Sequence, residues 1–437
     1  MGLRKGLALK VFVVLCWVSG MIIPNQNSFA SDPYPRVKII TGDFNGDGYA
    51  DILYQEDKTS DYNRIELYIA DQKGGFISDL DGAYPRWNLQ GPEYQEDLQY
   101  DAANIIPGDF DGDGKTDFIR QEKNSWDDDT VNSFAIYFSR GTFSTNKWFP
   151  GDGHFEIVYP EGDVYQNHLR YDPGCNIIPG DFNGDGKTDF IRQERGGWDV
   201  DTINSFDVYF SRGNGYFDIV RPEGDIYQNH LRYNPGCNII PGDFDGDGLT
   251  DFIRQERGGW DDDTINSFDV YFSRGNGYFD IARPEGEYFQ NHLRSDPGCN
   301  IIPGDYNGDG LTDFIRQEKG GWDDDDIMTF GLYFSNGDGT FSVHYPDWHY
   351  LQVRLGQDDR TFISSVDNSR YDVYGVNIIP GNFNNDEYTD FLVQPTYHPH
   401  AVWTFDPPLY YERDYQRYIT IGRDGGGQFD GFEIDKY

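Results

Sequence analysis

Short acidic segments recur along this chain, and the spacing of their oxygen-bearing side chains suits a hard divalent cation. The first reads Asp43-Phe44-Asn45-Gly46-Asp47-Gly48-Tyr49-Ala50-Asp51. Side-chain oxygens at its first, third, fifth and ninth positions can converge on one ion if the chain wraps around it. The main-chain carbonyl of the seventh adds another oxygen, and glycine at the sixth permits the sharp turn. Calcium takes about six to eight oxygens in a flexible geometry, which this loop supplies with a water or two; magnesium needs stricter octahedra and more water. With no Cys or His in the loop, zinc is disfavoured.

Five loops are complete. Their candidate ligands are Asp43, Asn45, Asp47, Tyr49 and Asp51; Asp109, Asp111, Asp113, Lys115 and Asp117; Asp181, Asn183, Asp185, Lys187 and Asp189; Asp243, Asp245, Asp247, Leu249 and Asp251; and Asp305, Asn307, Asp309, Leu311 and Asp313, the seventh residue acting through its carbonyl. The loops at 109 and 243 have Asp at the third position, hence four carboxylates, and are expected to bind more tightly than the three with Asn. A sixth runs from Asn382 through Asn384 and Asp386 to Asp390, with Glu387 in place of the glycine, so weak or no binding is expected there. The expectation is therefore about five calcium ions and a weak sixth. The plainer reading, acidic turns that only end strands, explains one such loop better than five in register. An EF-hand is excluded, because no Glu stands at the twelfth position and no flanking helices are expected.

The loops belong to a longer repeat. NIIPGDFNGDGKTDFIRQERGGWDVDTINSFDVYFSRGNGYFDIVRPEG begins at Asn176, a near-copy at Asn238, and looser copies at Lys38, Asn104, Asn300 and Asn377. Such a period marks a solenoid, propeller or array. Each unit reads as four short strands, in the copy from Asn176 roughly 176–180, 189–193, 205–211 and 217–221. The third alternates, with Phe206, Val208 and Phe210 on one side and Asp207, Tyr209 and Ser211 on the other. The glycine-rich Ser211-Arg212-Gly213-Asn214-Gly215 makes a hairpin turn into the fourth strand. No helical periodicity is evident after the first thirty residues. The fold expected is all-β: a propeller of six four-stranded blades, or seven if a degenerate one lies in 343–372, with the acidic loops between first and second strands.

Loops between second and third strands, and the links between blades, should emerge on the opposite face. The former carry Trp126, Trp198, Trp260 and Trp322 within NSWDDDT, GGWDVDT, GGWDDDT and GGWDDDD. The links repeat Asn167, His168 and Arg170; Asn229, His230 and Arg232; and Asn291, His292 and Arg294. An indole beside such polar groups suits a sugar, with ring stacking and hydroxyl bonding, and repeated shallow sites would supply avidity. The alternative is that Trp packs between blades while Arg pairs with the acidic run, and the acidic triplet could hold a further cation.

Arg4, Lys5 and Lys10, an apolar stretch from Val11 to about Ile23, and Ser28-Phe29-Ala30 together read as a signal peptide over residues 1–30, leaving 31–437 as one domain. A net charge of −40, with only positive charges in that leader, argues against nucleic acid and anionic membranes as partners. Cys175, Cys237 and Cys299 occupy equivalent positions just before the first strand, where the other copies have Val37, Ala103 and Val376. There cysteine acts as a small hydrophobe near the crowded axis, not as a disulfide partner.

These repeats resemble FG-GAP/VCBS repeats, the units of integrin α-subunit propellers and of many bacterial secreted proteins, over nearly all of residues 33–437. The resemblance implies calcium in the loop between the first two strands of a blade, and adhesion or ligand binding as a class. Integrin propellers have more blades than the six units counted here. The leading expectation is a secreted, monomeric, extracellular (or periplasmic or surface) calcium-binding module whose ligand is a glycan or a protein, and a lectin-like role is favoured. Its rivals are a protein-docking subunit of a surface or toxin assembly and a polysaccharide-active hydrolase or lyase. GxSxG, HExxH and P-loop motifs are absent from the sequence, which favours a non-enzyme.

Overall fold

A computed structural model describes residues 37–56, 65–70, 87–88, 97–98, 103–122, 133–140, 155–166, 168–170, 175–194, 205–228, 230–232, 237–256, 267–285, 287–290, 293, 299–318, 330–345, 360–363, 370–373, 376–382, 388–395 and 417–419. The proposed leader at 1–30 lies outside them. Among the described residues there are five four-stranded antiparallel sheets, each drawn from one repeat with strands in chain order: β1 (Val37–Gly42) to β4 (Trp87–Asn88), β5 (Ala103–Gly108) to β8 (Phe155–Val158), β9 (Cys175–Gly180) to β12 (Phe217–Val220), β13 (Cys237–Gly242) to β16 (Phe279–Ala282), and β17 (Cys299–Gly304) to β20 (Phe341–His344). The fold is an all-β propeller with five four-stranded blades.

The described residues of the sixth repeat form a three-stranded sheet, β23 (Val376–Gly381), β24 (Asp390–Pro395) and β25 (Arg417–Ile419). At 343–372, the place of the alternative seventh blade, the described residues include a two-stranded sheet, β21 (Arg360–Ile363) with β22 (Arg370–Val373). Innermost strands lie side by side in the order β1, β5, β9, β13, β17, β23 and back to β1. One backbone bond recurs around this ring. The amide of Thr116, Thr188, Thr250, Thr312 and Thr389 donates to the carbonyl of the preceding repeat's first loop Asp, at 2.6–2.7 Å, and Ala50 closes the circuit on the carbonyl of Asn382 at 2.8 Å.

The alternation expected for the third strand holds, and both sides of β11 (Phe206–Ser211) are buried, because each blade is clamped between two others. Phe206 and Val208 join the core shared with the next blade, and Tyr209 joins the one shared with the previous blade. Alternation thus sorts side chains between two interblade cores rather than between core and water. Aromatic stacking repeats with it: Phe118–Tyr137, Phe190–Tyr209, Phe252–Tyr271 and Phe314–Tyr333 each stack with centroids 4.6 Å apart. Cys175, Cys237 and Cys299 are free and buried in the same cores, as small hydrophobes should be. The links do contain helix, against the reading of the sequence: single turns α1 (Asp163–Gln166), α2 (Asp225–Gln228) and α3 (Glu287–Gln290). Each is too short to show a period, and tertiary contacts hold it.

Candidate functional site: the acidic loops and the opposite face

Each acidic loop closes the end of a blade where first strand turns into second. Gly42 pairs with Asp51 across the mouth of the first loop, and Gly180 with Asp189 across the third. The loop is organised by its own carboxylates. Asp43 Oδ1 accepts from the amides of Gly46 and Asp47 at 2.7 and 3.0 Å, and its Oδ2 from Gly48 at 2.7 Å. Asn45 Oδ1 accepts from Asp47 at 2.8 Å, and Asp47 Oδ1 from Tyr49 at 3.0 Å. The third loop repeats the set at Asp181, Asn183 and Asp185.

Gly46 and Gly48 both take positive φ, 78° and 90°. The fourth-position glycine has a second reason to lack a side chain. A Cβ on Gly184 would come within 2.7 Å of Leu249 Cδ2, a seventh-position side chain of the next blade. Sequence reasoning credited only the sixth-position glycine; the signal it passed over is that the fourth position is glycine in all five complete loops.

The ninth-position aspartate is the most buried member. Asp117 Oδ2 accepts from the amide of Phe110 at 2.9 Å and Oδ1 from that of Ser139 at 2.7 Å. Asp189, Asp251 and Asp313 do the same, and Asp51 uses Phe44 and Ala70. Burial pushes these five carboxyls up to about 8 from 3.8, against the lowering effect of those bonds. Burial likewise raises Asp109, Asp243 and Asp305 to about 6. The second-position aromatic links loop to neighbour. Ser139 Oγ of the following blade donates to the carbonyl of Phe44 at 2.6 Å, and Ser211, Ser273 and Ser335 repeat this on Phe110, Phe182 and Phe244.

In two loops, three carboxylates converge where they could hold a cation. One carboxylate oxygen from each of Asp109, Asp111 and Asp117, and from each of Asp243, Asp245 and Asp251, lies within 4.8 Å of the others. These are the two loops with Asp at the third position, and an all-oxygen set of this kind fits calcium. The fifth-position carboxylates stand apart from that trio. Asp113 pairs with Lys115 at 2.6 Å and Asp185 with Lys187 at 2.8 Å, while Arg140 Nη1 meets Asp111 at 2.6 Å. The amides of the seventh residues, Lys115, Lys187, Leu249 and Leu311, donate to the fifth-position carboxylates as Tyr49 does. Asn384, Asp386 and Glu387 of the sixth loop lie outside the described residues.

On the opposite face, Trp126, Trp198, Trp260, Trp322, Asn167, Asn229, Asn291, His292 and Arg294 also lie outside the described residues. His168, Arg170, His230 and Arg232 are half-buried. His230 Nε2 meets Asp225 at 3.1 Å, and the Nε atoms of Arg170 and Arg232 are buried without a hydrogen-bond acceptor among the described residues. The rest of the link is structural. Gln228 Nε2 donates to the carbonyls of Phe206 and Pro222, and its Oε1 accepts from Ser205. Tyr227 accepts the amide of Phe279, and Gln193 Nε2 donates to the carbonyls of Leu231 and Cys237. The recurrence of Tyr, Gln and Leu in the links is therefore explained by seam packing.

Residues 43–120 match the FG-GAP-like repeat family. The chain carries FG-GAP-like repeats. Among solved structures, this FG-GAP repeat protein is similar to an Agrocybe aegerita lectin described as recognising non-reducing terminal N-acetylglucosamine, at 14% identity and a TM-score of 0.51, over 92% of this chain and 80% of that one. It is also similar to an exotype rhamnogalacturonan lyase, at 13% identity and a TM-score of 0.36 over 84% and 73%. A Bacillus licheniformis rhamnogalacturonan lyase gives 11% identity and a TM-score of 0.35 over 83% and 70%. At 14% identity the likeness to the lectin is one of fold. Among curated protein sequences, none matches this chain.

Proposed function

We propose that this chain is a secreted, calcium-supported carbohydrate-binding propeller, a binding module rather than an enzyme. The observation that carries the calcium part is the convergence of first, third and ninth carboxylates in the second and fourth loops. Calcium there would bridge carboxylates that burial otherwise drives toward protonation, and through the loop–neighbour bonds it would brace the seams between blades. The remaining complete loops keep the same frame with an amide oxygen at the third position. In this reading the three-stranded sheet of the sixth repeat is the sixth blade, supported by the Ala50–Asn382 bond that closes the ring.

Glycan binding is supported by the repetition of polar link residues on the face away from the loops, and it agrees with the fold likeness to a lectin. Monomeric, extracellular action belongs to the same proposal, supported by the leader-like pattern of residues 1–30 and the strong negative charge. A glycan array probed in calcium and again with chelator tests the whole reading. Specific binding lost with chelator is the expected result. A folded sample that binds no glycan in either buffer would turn the search to protein partners, and turnover of a bound polysaccharide would make it an enzyme.

A further inference from the structure

Four blades put the same buried arginine at the same place. Arg120, Arg192, Arg254 and Arg316 are nearly inaccessible on the second strand, toward the face opposite the acidic loops. What covers them differs between repeats. In the third, Arg192 Nη1 faces Asp207 Oδ2 at 3.7 Å, and Arg221 Nε faces Oδ1 of the same carboxylate at 3.7 Å. In the fourth, Arg254 and Arg283 flank Asp269 at 3.8 and 3.6 Å. In the second and fifth repeats the Asp position is Ala135 or Gly331, and the outer Arg position is Tyr159 or Tyr345. The exchange is steric as well as chemical: a Cβ on Gly331 would come within 2.8 Å of Tyr345 Cε1, so the ring occupies the room that Asp takes elsewhere.

The charged version leaves something the aromatic version does not. In each of these two seams, two guanidiniums share one buried carboxylate. The inner Arg192 is committed, its Nε donating to the carbonyl of His168 in the link at 3.1 Å. Arg221 and Arg283 are about half exposed, at 50% and 46%, while Asp207 and Asp269 beneath them are about 1% exposed. Each outer guanidinium is thus held from below and about half exposed above, with N–H donors beyond that contact left, among the described residues, for a planar anion. The exposed Asp225 a few residues on is engaged by His230 at 3.1 Å. A guanidinium fork so oriented matches a carboxylate in two parallel hydrogen bonds.

We infer that Arg221 and Arg283, one blade apart, form two equivalent sites for the carboxylate of a uronic-acid-bearing glycan. This rests on the glycan-binding reading above and narrows it to acidic saccharides at two seams. Calorimetric titration of the full chain in calcium with an oligogalacturonate, and with its methyl ester, tests it. The acid should bind at two sites and the ester roughly ten-fold more weakly or worse. A variant carrying Asp207→Ala with Arg221→Tyr and Asp269→Ala with Arg283→Tyr should lose at least about ten-fold in affinity for the acid while staying folded with only a small fall in melting temperature, since the second repeat already folds with Ala135 and Tyr159. A second variant, Arg221→Gln with Arg283→Gln, should lose affinity in the same direction. Equal affinity for acid and ester, or acid binding undiminished in both variants, overturns the inference and leaves glycan binding standing if the array shows another saccharide. An array with no glycan bound at all removes both.

Discussion

The two ends of each blade are built from the same strands and handle buried carboxylates in opposite ways. At the loop end, the ninth-position Asp sits among backbone amides, two of which donate to it in every complete repeat. At the other end, Asp207 and Asp269 face guanidiniums, and two sister repeats dispense with the carboxylate altogether. A feature repeated without variation around the ring serves the ring. One present in two blades out of four comparable ones can be exchanged without losing the fold, which frees it for recognition.

Removing calcium should give the largest effect on that contrast. Each site held at a hundredfold excess over its Kd contributes about 2.7 kcal/mol, so chelation should lower the melting temperature by several degrees at least. Scanning calorimetry with and without chelator measures it, and an unchanged melt would reduce the loops to strand-ending turns. The same pair of buffers carries a pH signature. In the ion-free protein, Asp51, Asp117, Asp189, Asp251 and Asp313 are pushed up to about 8 from 3.8. Between those values the folded chain holds more protons than the unfolded one, so ion-free stability should fall as pH rises from about 4 to about 8. Calcium, which favours the ionised carboxylates, should flatten or reverse that slope; melts at pH 5 and pH 8 in both buffers decide it.

Asp251→Ala should cost about 2–5 kcal/mol even in chelator, because it strands the buried amides of Phe244 and Ser273. Asp245→Ala, at the half-buried third position, should weaken calcium binding with little change in the ion-free melt. If both behave alike, the ninth residue has no structural share beyond the metal. At the opposite end, Asp207→Ala alone should cost about 3 kcal/mol by leaving Arg192 buried without its carboxylate, and adding Arg221→Tyr should restore most of it. A double-mutant cycle by urea denaturation reads this directly. The smallest effect belongs to the seam: Thr188→Val removes the Oγ1 that accepts the amide of Asp109 at 2.9 Å, and should cost about 1 kcal/mol.

Repeat register, the four-strand unit, the five complete loops and the place of the cysteines were all legible in the sequence. Each is written in residues close together: a nine-residue loop, a six-residue strand, one small residue at a strand end. Hydrophobic period and turn glycines act locally, so their pattern survives in one dimension. What tertiary structure alone decided joins different repeats. The Gly184–Leu249 contact, the Ser211 bond to Phe110, the Gln193 clip on Leu231 and Cys237, and the exchange of Tyr345 over Gly331 for Arg283 over Asp269 all depend on how strands and blades meet. The sequence placed Asp207 and Tyr209 on the side of the third strand away from Phe206 and Val208, without saying what that side meets. Only the clamping of each blade on both sides buried them, because a sheet between two sheets has no solvent face for alternation to mark.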